Sequence, residues 1–149
     1  MKRAHCRIPA VFLAVLVSAC TTPTGPGLGD VTSVTYFRDG GFAGIHEEIS
    51  VGPGSAVKVV RWDTTVTGVL REDETPRLRA ALMTAGSWDT LRVTNSCIDC
   101  FYHRLIIVGL RRTTTIVADD PGLADAEQGV HDLLQTLDAI RQRLLPPVR

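Results

Sequence analysis

Aromatic side chains make up only 5% of this chain of 149 residues. Because large rings supply much of the buried surface in many proteins, their scarcity excludes an aromatic core and leaves Val, Leu and Ile to fill the interior. The stretch from Val31 to the end holds about 119 residues, a common size for one domain with its own core. The sequence therefore predicts a single aliphatic domain.

A long apolar run is also missing, since the run from Ile8 to Val17 is too short to span a bilayer as a helix. Basic residues precede this run, and the small residues Ser18 and Ala19 follow it. This order of charge, apolar run and small residues is typical of a secretory signal peptide. Residues 1–19 are therefore predicted to be a signal peptide.

The segment LVSAC ends at Cys20 and resembles the bacterial lipobox, in which the cysteine thiol receives a diacylglyceryl group. A plain signal peptide with an incidental cysteine is the alternative. Residues 20–30 are rich in Thr, Pro and Gly and predict a flexible tether of about 17 Å average length. The resemblance implies a protein anchored to a membrane of the cell envelope by lipid on Cys20. In a Gram-negative cell, Thr21 implies the outer membrane, facing the periplasm.

An excess of charge of one sign is absent, because 16 Lys and Arg balance 16 Asp and Glu. Three basic residues, Lys2, Arg3 and Arg7, leave with the signal peptide, so 13 remain against 16 and the net charge becomes minus three. No basic patch remains in the sequence to suggest nucleic acid as a partner.

Periodicity along the domain predicts both strands and helices. Strands are predicted at 31–38, in the segment that VGPGS at 51–55 ends, and at 55–62, 64–70, 101–110 and 113–119. The strand 101–110 is apolar on both faces, which indicates a central strand covered on each side.

Two helices are predicted within the same domain. Thr75 and Pro76 are typical of an N-cap and a first helical residue, so a helix over 76–85 is expected, with Gly86 as its stop. A leucine-rich stripe predicts a second helix over about 125–145. Residues 31–149 are therefore predicted to be one α+β domain, an antiparallel sheet built from hairpins with two helices packed on it.

The first hairpin contains more glycine than a tight turn requires. Asp39-Gly40 predicts a two-residue type I′ turn. In that register Val34 would face Ile45, Tyr36 would face Ala43, and Phe37 would face Phe42. Val34 and Tyr36 are predicted to point to the core, and the two phenylalanines to point away from it.

Cys97 and Cys100 are the thiols that remain once Cys6 is removed and Cys20 is lipidated. In an exported protein they are expected to form a disulfide. A redox centre is one alternative, although it needs a cysteine at a helix N-terminus and this pair leads into a strand. A zinc site with His103 is another alternative, which would need a fourth ligand from His46 or His131.

No complete catalytic motif is present. HEEIS at 46–50 places Ser50 where a zinc-protease helix needs its second histidine. GPGSA lacks the spacing of a nucleophile elbow, because Pro53 stands in place of a glycine. His46 is expected to be a solvent-facing strand residue. The chain is therefore predicted not to be an enzyme and to hold no cofactor or metal.

The order of these elements resembles the emfourin family, whose members inhibit thermolysin-like zinc metallopeptidases such as protealysin. The residues that carry the resemblance are Gly40, Gly41, Phe42, Ala43 and Gly44, then Leu78 and Leu82, then Asp99 with Tyr102, then the helix from Val130 to Ile140. They span positions 32 to 142. The resemblance implies a non-catalytic domain that binds a protein partner, with Gly40, Gly41, Phe42, Ala43 and Gly44 as the expected binding residues.

Three features depart from the family pattern: an added hairpin at 52–70, the cysteine pair and the lipid anchor. A structural or assembly lipoprotein of the cell envelope, with a partner that is not a protease, is therefore the alternative. Phe42 also has two interpretations. It is an exposed anchor for a partner, or it packs with Phe37 beneath a helix.

Overall fold

The computed structural model describes residues 29–85, 91–94 and 97–145. The predicted signal peptide, the predicted lipid anchor Cys20 and the predicted tether up to residue 28 lie outside these residues, as do Gly86 and the chain end after residue 145. Within the described part of the chain, no helix combines the length and apolarity that crossing a membrane requires.

Seven strands of the described part of the chain form one sheet. They are β1 Val31–Gly40, β2 Ile45–Val51, β3 Ala56–Arg61, β4 Thr64–Val69, β5 Leu91–Val93, β6 Phe101–Gly109 and β7 Thr113–Asp119. Their spatial order is β4-β3-β2-β1-β6-β7-β5. All neighbours pair antiparallel except β5, which runs parallel to β7. The predicted α+β class is confirmed, and the short parallel edge strand is an addition to it.

The described residues also form three α-helices: α1 Glu74–Ala85, α2 Asp120–Ala124 and α3 Gln128–Leu144. Helix α1 begins before the predicted Pro76, so the prediction of Thr75 as its N-cap is wrong. The Glu74 side chain instead accepts a hydrogen bond of 2.7 Å from the backbone N–H of Arg71. The second predicted helix is confirmed as α3. The short helix α2 precedes α3. Its N-cap is Asp119, whose carboxylate accepts a hydrogen bond from the N–H of Gly122.

The core lies on one face of the sheet, between the strands and the helices α1 and α3. Its most deeply buried side chains include Val34, Ile49, Val51, Val59, Leu78, Leu133, Leu137 and Ile140. They are aliphatic, as the composition requires. On β6, however, Tyr102 and Arg104 point to the opposite face and are exposed. The prediction that this strand is covered on both sides is therefore wrong, because its second face is open.

Strand direction gives the domain two distinct ends. The β1–β2 turn, the β3–β4 turn and the loop into β6 lie together, since Gly40 pairs with both Ile45 and Phe101 and Glu47 pairs with Arg61. We call this the turn end. The start of β1 lies at the opposite end, beside the β6–β7 turn, and we call that the tether end.

Candidate protein-binding surface

The β1–β2 turn consists of Gly41, Phe42, Ala43 and Gly44. Gly40, Gly41 and Gly44 have positive φ angles of 106°, 68° and 58°, a conformation that costs a side chain about 1–2 kcal/mol and glycine almost nothing. The N–H of Gly44 donates to the C=O of Gly41 at 3.0 Å and closes the turn. The glycines are therefore what allows a four-residue turn at this position.

The observed hairpin register differs from the predicted one. Gly40 pairs with Ile45, and Val34, Tyr36 and Phe37 pair with the residues at positions 51, 49 and 48. The prediction of a two-residue turn at Asp39-Gly40 is wrong. The chain turns further along, where Gly41 and Gly44 adopt the positive φ angles that the observed turn requires. The predicted facing is confirmed for Val34 and Tyr36, which belong to the core.

Phe42 sits at the tip of the turn with 96% of its surface exposed. The interpretation that it packs with Phe37 beneath a helix is therefore wrong. Phe37 instead lies under the guanidinium of Arg104, which is 4.3 Å from the centre of its ring. A phenylalanine this exposed contributes nothing to the core, and exposed aromatic side chains are enriched in protein–protein interfaces.

The loop beside this turn is closed by a disulfide between Cys97 and Cys100. The C=O of Cys100 accepts a hydrogen bond of 3.2 Å from the N–H of Gly41, so the two loops hold each other. Ile98, inside the disulfide loop, is 89% exposed. The expected disulfide is confirmed, and its loop carries a second large exposed apolar side chain and is hydrogen-bonded to the turn that carries Phe42.

A third apolar residue at the turn end comes from the added hairpin. Trp62 occupies the β3–β4 turn with a φ of 51°, and its N–H donates to the C=O of His46 at 3.0 Å. The indole is 54% exposed. Since neighbouring strands lie about 4.8 Å apart, the three spacings from β3 to β6 place the strands that carry the three loops within about 15 Å. One partner surface of ordinary size, about 800 Å² per side, can cover all of them.

Beneath the turn end, the carboxylate of Glu47 is buried among three arginines. It lies 2.6 Å from Arg38, 2.6 Å from Arg61 and 2.8 Å from Arg141, with 6% of its side chain exposed. Arg141 comes from α3 and also pairs with Asp138. This cluster fixes β1, β2 and β3 against the helix at the base of the turn.

Arg38 extends the cluster toward the loops. Its guanidinium lies 4.8 Å from the centre of the Phe101 ring. That ring in turn lies 2.8 Å from the position that a Cβ on Gly41 would take. Phe101, Arg38 and Glu47 therefore support the glycine turn from below, so that Phe42 is presented on a braced loop.

His103 lies between two polar partners, and this arrangement argues against the zinc alternative. Tyr36 Oη and His103 Nδ1 are 2.7 Å apart, and His103 Nε2 is 2.8 Å from Asp120 Oδ1. A carboxylate only accepts, so Nε2–H donates to Asp120, and in the neutral ring Nδ1 accepts from the tyrosine hydroxyl. Cys97 and Cys100 are consumed by their disulfide. Among the residues that the structure describes, no group of three His, Cys, Asp or Glu could hold a metal.

The electrostatics follow from these contacts. Burial raises the pKa of Tyr36, so the phenol stays protonated as a donor. Burial alone would also raise the pKa of Asp120. Hydrogen bonds from His103 and from the backbone N–H of Phe101, the latter at 2.9 Å, outweigh burial and lower that pKa instead. Asp120 is therefore an ionised carboxylate that ties β6 to the start of α2.

The structure brings together the predicted binding residues and the cysteine pair, which the sequence analysis treated separately. His46 is solvent-facing, as expected, and pairs with Asp39. The Glu47 cluster was missed. A signal was present, since Glu47 alternates with Ile49 and Val51 on the inward face of β2. A charge in an inward position indicates a buried partner.

Compared with known proteins, the chain matches no protein-family model and no curated protein.

Proposed function

We propose that this protein is a bacterial lipoprotein, anchored to a membrane of the cell envelope through Cys20, whose domain binds another protein through the turn end and catalyses no reaction. The observation that carries the proposal is Phe42, 96% exposed on a turn held by a hydrogen bond to the disulfide loop. An aromatic side chain on a preorganised loop loses little conformational freedom when a partner covers it. Ile98 and Trp62 enlarge the apolar surface around it.

For the partner, we propose a thermolysin-like zinc metallopeptidase. The resemblance to the emfourin family through Gly40, Gly41, Phe42, Ala43 and Gly44 supports this class. Such enzymes have a catalytic zinc with one open coordination position beside an apolar subsite. A braced loop that presents Phe42 can fill that subsite and block the zinc without being cleaved.

The test is an inhibition assay with a chain of residues 21–149 against a panel of thermolysin-like peptidases. We expect Phe42→Ala to weaken inhibition by about 2 kcal/mol, or about 30-fold, while its melting temperature stays that of the wild type. Val69→Ala is the matched control, because Val69 is 64% exposed but lies at the tether end. A folded wild type that inhibits none of the enzymes at micromolar concentration would reject this partner class.

An assembly lipoprotein with a partner that is not a protease is the second candidate. Trp62 favours it, since this exposed residue lies on the hairpin at 52–70 that the emfourin pattern lacks. A surface spread over three loops fits a flat partner as well as a cleft. A pull-down from envelope extracts with the wild type and with Trp62→Ala separates the candidates. A non-peptidase protein captured by the wild type and lost with Trp62→Ala supports the second, whereas a captured metallopeptidase supports the first.

Anchoring is tested by Cys20→Ala. We expect the variant to leave the membrane fraction and to lose palmitate incorporation, because it lacks the thiol that carries the lipid. Each methylene of an acyl chain buried in the bilayer contributes about 0.8 kcal/mol to the free energy of membrane binding. Cys6→Ala, which replaces the cysteine within the predicted signal peptide, is the control and should behave as the wild type. Equal palmitate labelling of the Cys20→Ala variant and the wild type would contradict the anchor.

A further inference from the structure

A groove of about 840 Å³ opens at the tether end. Its walls are the first described residues, Gly29 and Asp30, together with helix α1 and the β6–β7 turn, Leu110 to Arg112. It lies at the opposite end of the sheet from Phe42. None of its lining residues takes part in the protein-binding surface.

The chain enters the domain through this groove in a fixed position. The N–H of Leu110 donates to the C=O of Asp30 at 2.9 Å, and the N–H of Gly109 donates to the C=O of Arg112 at 2.8 Å. On the helix side, the Arg79 guanidinium lies 3.7 Å from where a Cβ on Gly29 would stand. Gly29 and Asp30 are therefore flanked by Arg79 on one side and by the β6–β7 turn on the other.

The groove combines positive charge with exposed apolar side chains. Arg79, Arg111 and Arg112 line it, with Asp30 as the acidic residue among its lining. Arg79 and Arg111 form no ion pair with any residue that the structure describes. Leu110 is 71% exposed beside Arg111, and Met83 is 76% exposed on the same helix as Arg79. Basic residues beside exposed apolar ones are typical of surfaces that lie in a membrane interface.

We propose that the tether end docks on the anionic headgroups of the bilayer, with Arg79 and Arg111 on lipid phosphates and Leu110 and Met83 in the interface. This docking rests on the proposed lipid anchor, which holds the domain close to the membrane. Gly29 lies nine positions after Cys20 in the sequence, and a flexible chain of that length averages about 17 Å from end to end. Electrostatic attraction acts within about 10 Å at ordinary salt. The tether thus keeps the basic groove near the range in which it meets the surface.

The test uses a non-lipidated chain of residues 21–149, so that its outcome does not depend on acylation. This chain keeps the core, because every buried core residue that the structure describes lies between Val34 and Ile140. Binding is measured by sedimentation with vesicles of phosphatidylethanolamine and phosphatidylglycerol, and with vesicles of phosphatidylcholine alone. We expect binding to the anionic vesicles only, weakening as salt is added.

The decisive variant is Arg79→Gln with Arg111→Gln. A basic residue near an anionic surface strengthens binding about fivefold, so this pair should weaken it about 25-fold. The matched control is Lys58→Gln with Arg104→Gln, which removes the same charge from exposed positions on the open sheet face. Thermal melts check that both variants fold. Leu110→Ser should weaken binding without changing the charge.

Three results would overturn the docking: equal binding by the two double variants, equal binding to both kinds of vesicle, or inorganic phosphate that binds the chain and displaces it from vesicles at equal phosphate concentration. The last result would identify a pocket for free phosphate in place of a membrane contact. Failure of the anchor is a separate outcome, since it appears in the fractionation of Cys20→Ala and leaves the vesicle measurement unaffected.

Discussion

Glu47 lies in the interior, where burying a carboxylate is costly unless cations and hydrogen bonds surround it. Arg38, Arg61 and Arg141 provide that environment from two strands and one helix. The arginines depend on Glu47 in return, because without it three like charges would face one another. A single inward-facing residue of β2 thus determines whether the base of the turn end holds together.

We therefore expect Glu47→Ala to lower the free energy of unfolding by about 3–5 kcal/mol, the usual cost of removing one partner from a buried ion cluster. Glu48→Ala is the matched control on the same strand. Glu48 lies 3.8 Å from the half-exposed Lys58, so its loss should cost less than about 1 kcal/mol. Urea unfolding with a common slope measures both variants. Equal midpoints for the two would show that the cluster does not stabilise the fold.

At the scale of the element, the turn between β1 and β2 offers two glycines that differ in one respect. Gly41 and Gly44 both have positive φ angles, 68° and 58°. A Cβ on Gly41 would stand 2.8 Å from the Phe101 ring, whereas a Cβ on Gly44 would meet nothing within 4 Å. Substitution of Gly44 therefore measures backbone strain alone, and substitution of Gly41 adds a steric clash.

We expect Gly44→Ala to cost about 1 kcal/mol of stability from strain, and Gly41→Ala to cost about 3 kcal/mol because the ring must also move. Chemical unfolding of the two variants gives the difference directly. If Phe101 supports the turn as argued, Gly41→Ala should also weaken partner binding more than Gly44→Ala. Identical costs for the two substitutions would mean that the turn does not rest on Phe101.

Much of this element could be predicted from the sequence, and part of it could not. Alternation identifies the strands, and the facing of Val34 and Tyr36 follows from it, because side-chain direction in a strand depends on local order alone. The pairing register cannot be predicted in the same way. A two-residue turn at Asp39-Gly40 and a four-residue turn from Gly41 to Gly44 are both acceptable by local chemistry. The structure contains the four-residue turn, in which the N–H of Gly41 donates to the C=O of Cys100, a residue distant in the sequence.

The candidate surface was predictable to a similar degree. Phe42 among glycines indicates a special loop, and two cysteines three residues apart indicate a closed one. Their adjacency depends on β1 pairing with β6, a contact between segments far apart in the chain. The Glu47 cluster is harder still, because Arg141 is 94 residues away. Periodicity describes each element by itself, and long-range ion pairs have no periodic signal.

For the whole molecule, the arrangement of the two ends is the central feature. Strand β1 runs from the tether end at Val31 to the turn end at Gly40, a length of about 33 Å at the usual rise per residue. If the tether end rests on a bilayer, the surface with Phe42 points away from it. A partner can then approach Phe42 without colliding with the membrane.

Two carboxylates join the parts of this molecule. Glu74 of α1 accepts a hydrogen bond of 2.6 Å from Arg143 of α3, which also donates to the C=O of Val69 on β4 at 3.1 Å. Asp120 joins α2 to His103 on β6. Burial alone would raise the pKa of both carboxyl groups, but hydrogen bonds from their partners outweigh burial and lower it.

This predicts how stability depends on pH. A carboxyl group whose pKa is lower in the folded protein binds a proton less readily there than in the unfolded chain, so acid favours unfolding. We expect the free energy of unfolding to be steady near neutral pH and to fall as the pH drops below about 4. Asp120→Asn combined with Glu74→Gln should be less stable than the wild type at neutral pH and should lose less on acidification. Urea unfolding across this pH range measures both effects.

The control is Glu72→Gln with Asp125→Asn, which removes the same charge from exposed positions and shows how much of the change comes from net charge alone. A double variant at Asp120 and Glu74 that loses as much stability in acid as the wild type would show that these two carboxylates do not cause the acid sensitivity.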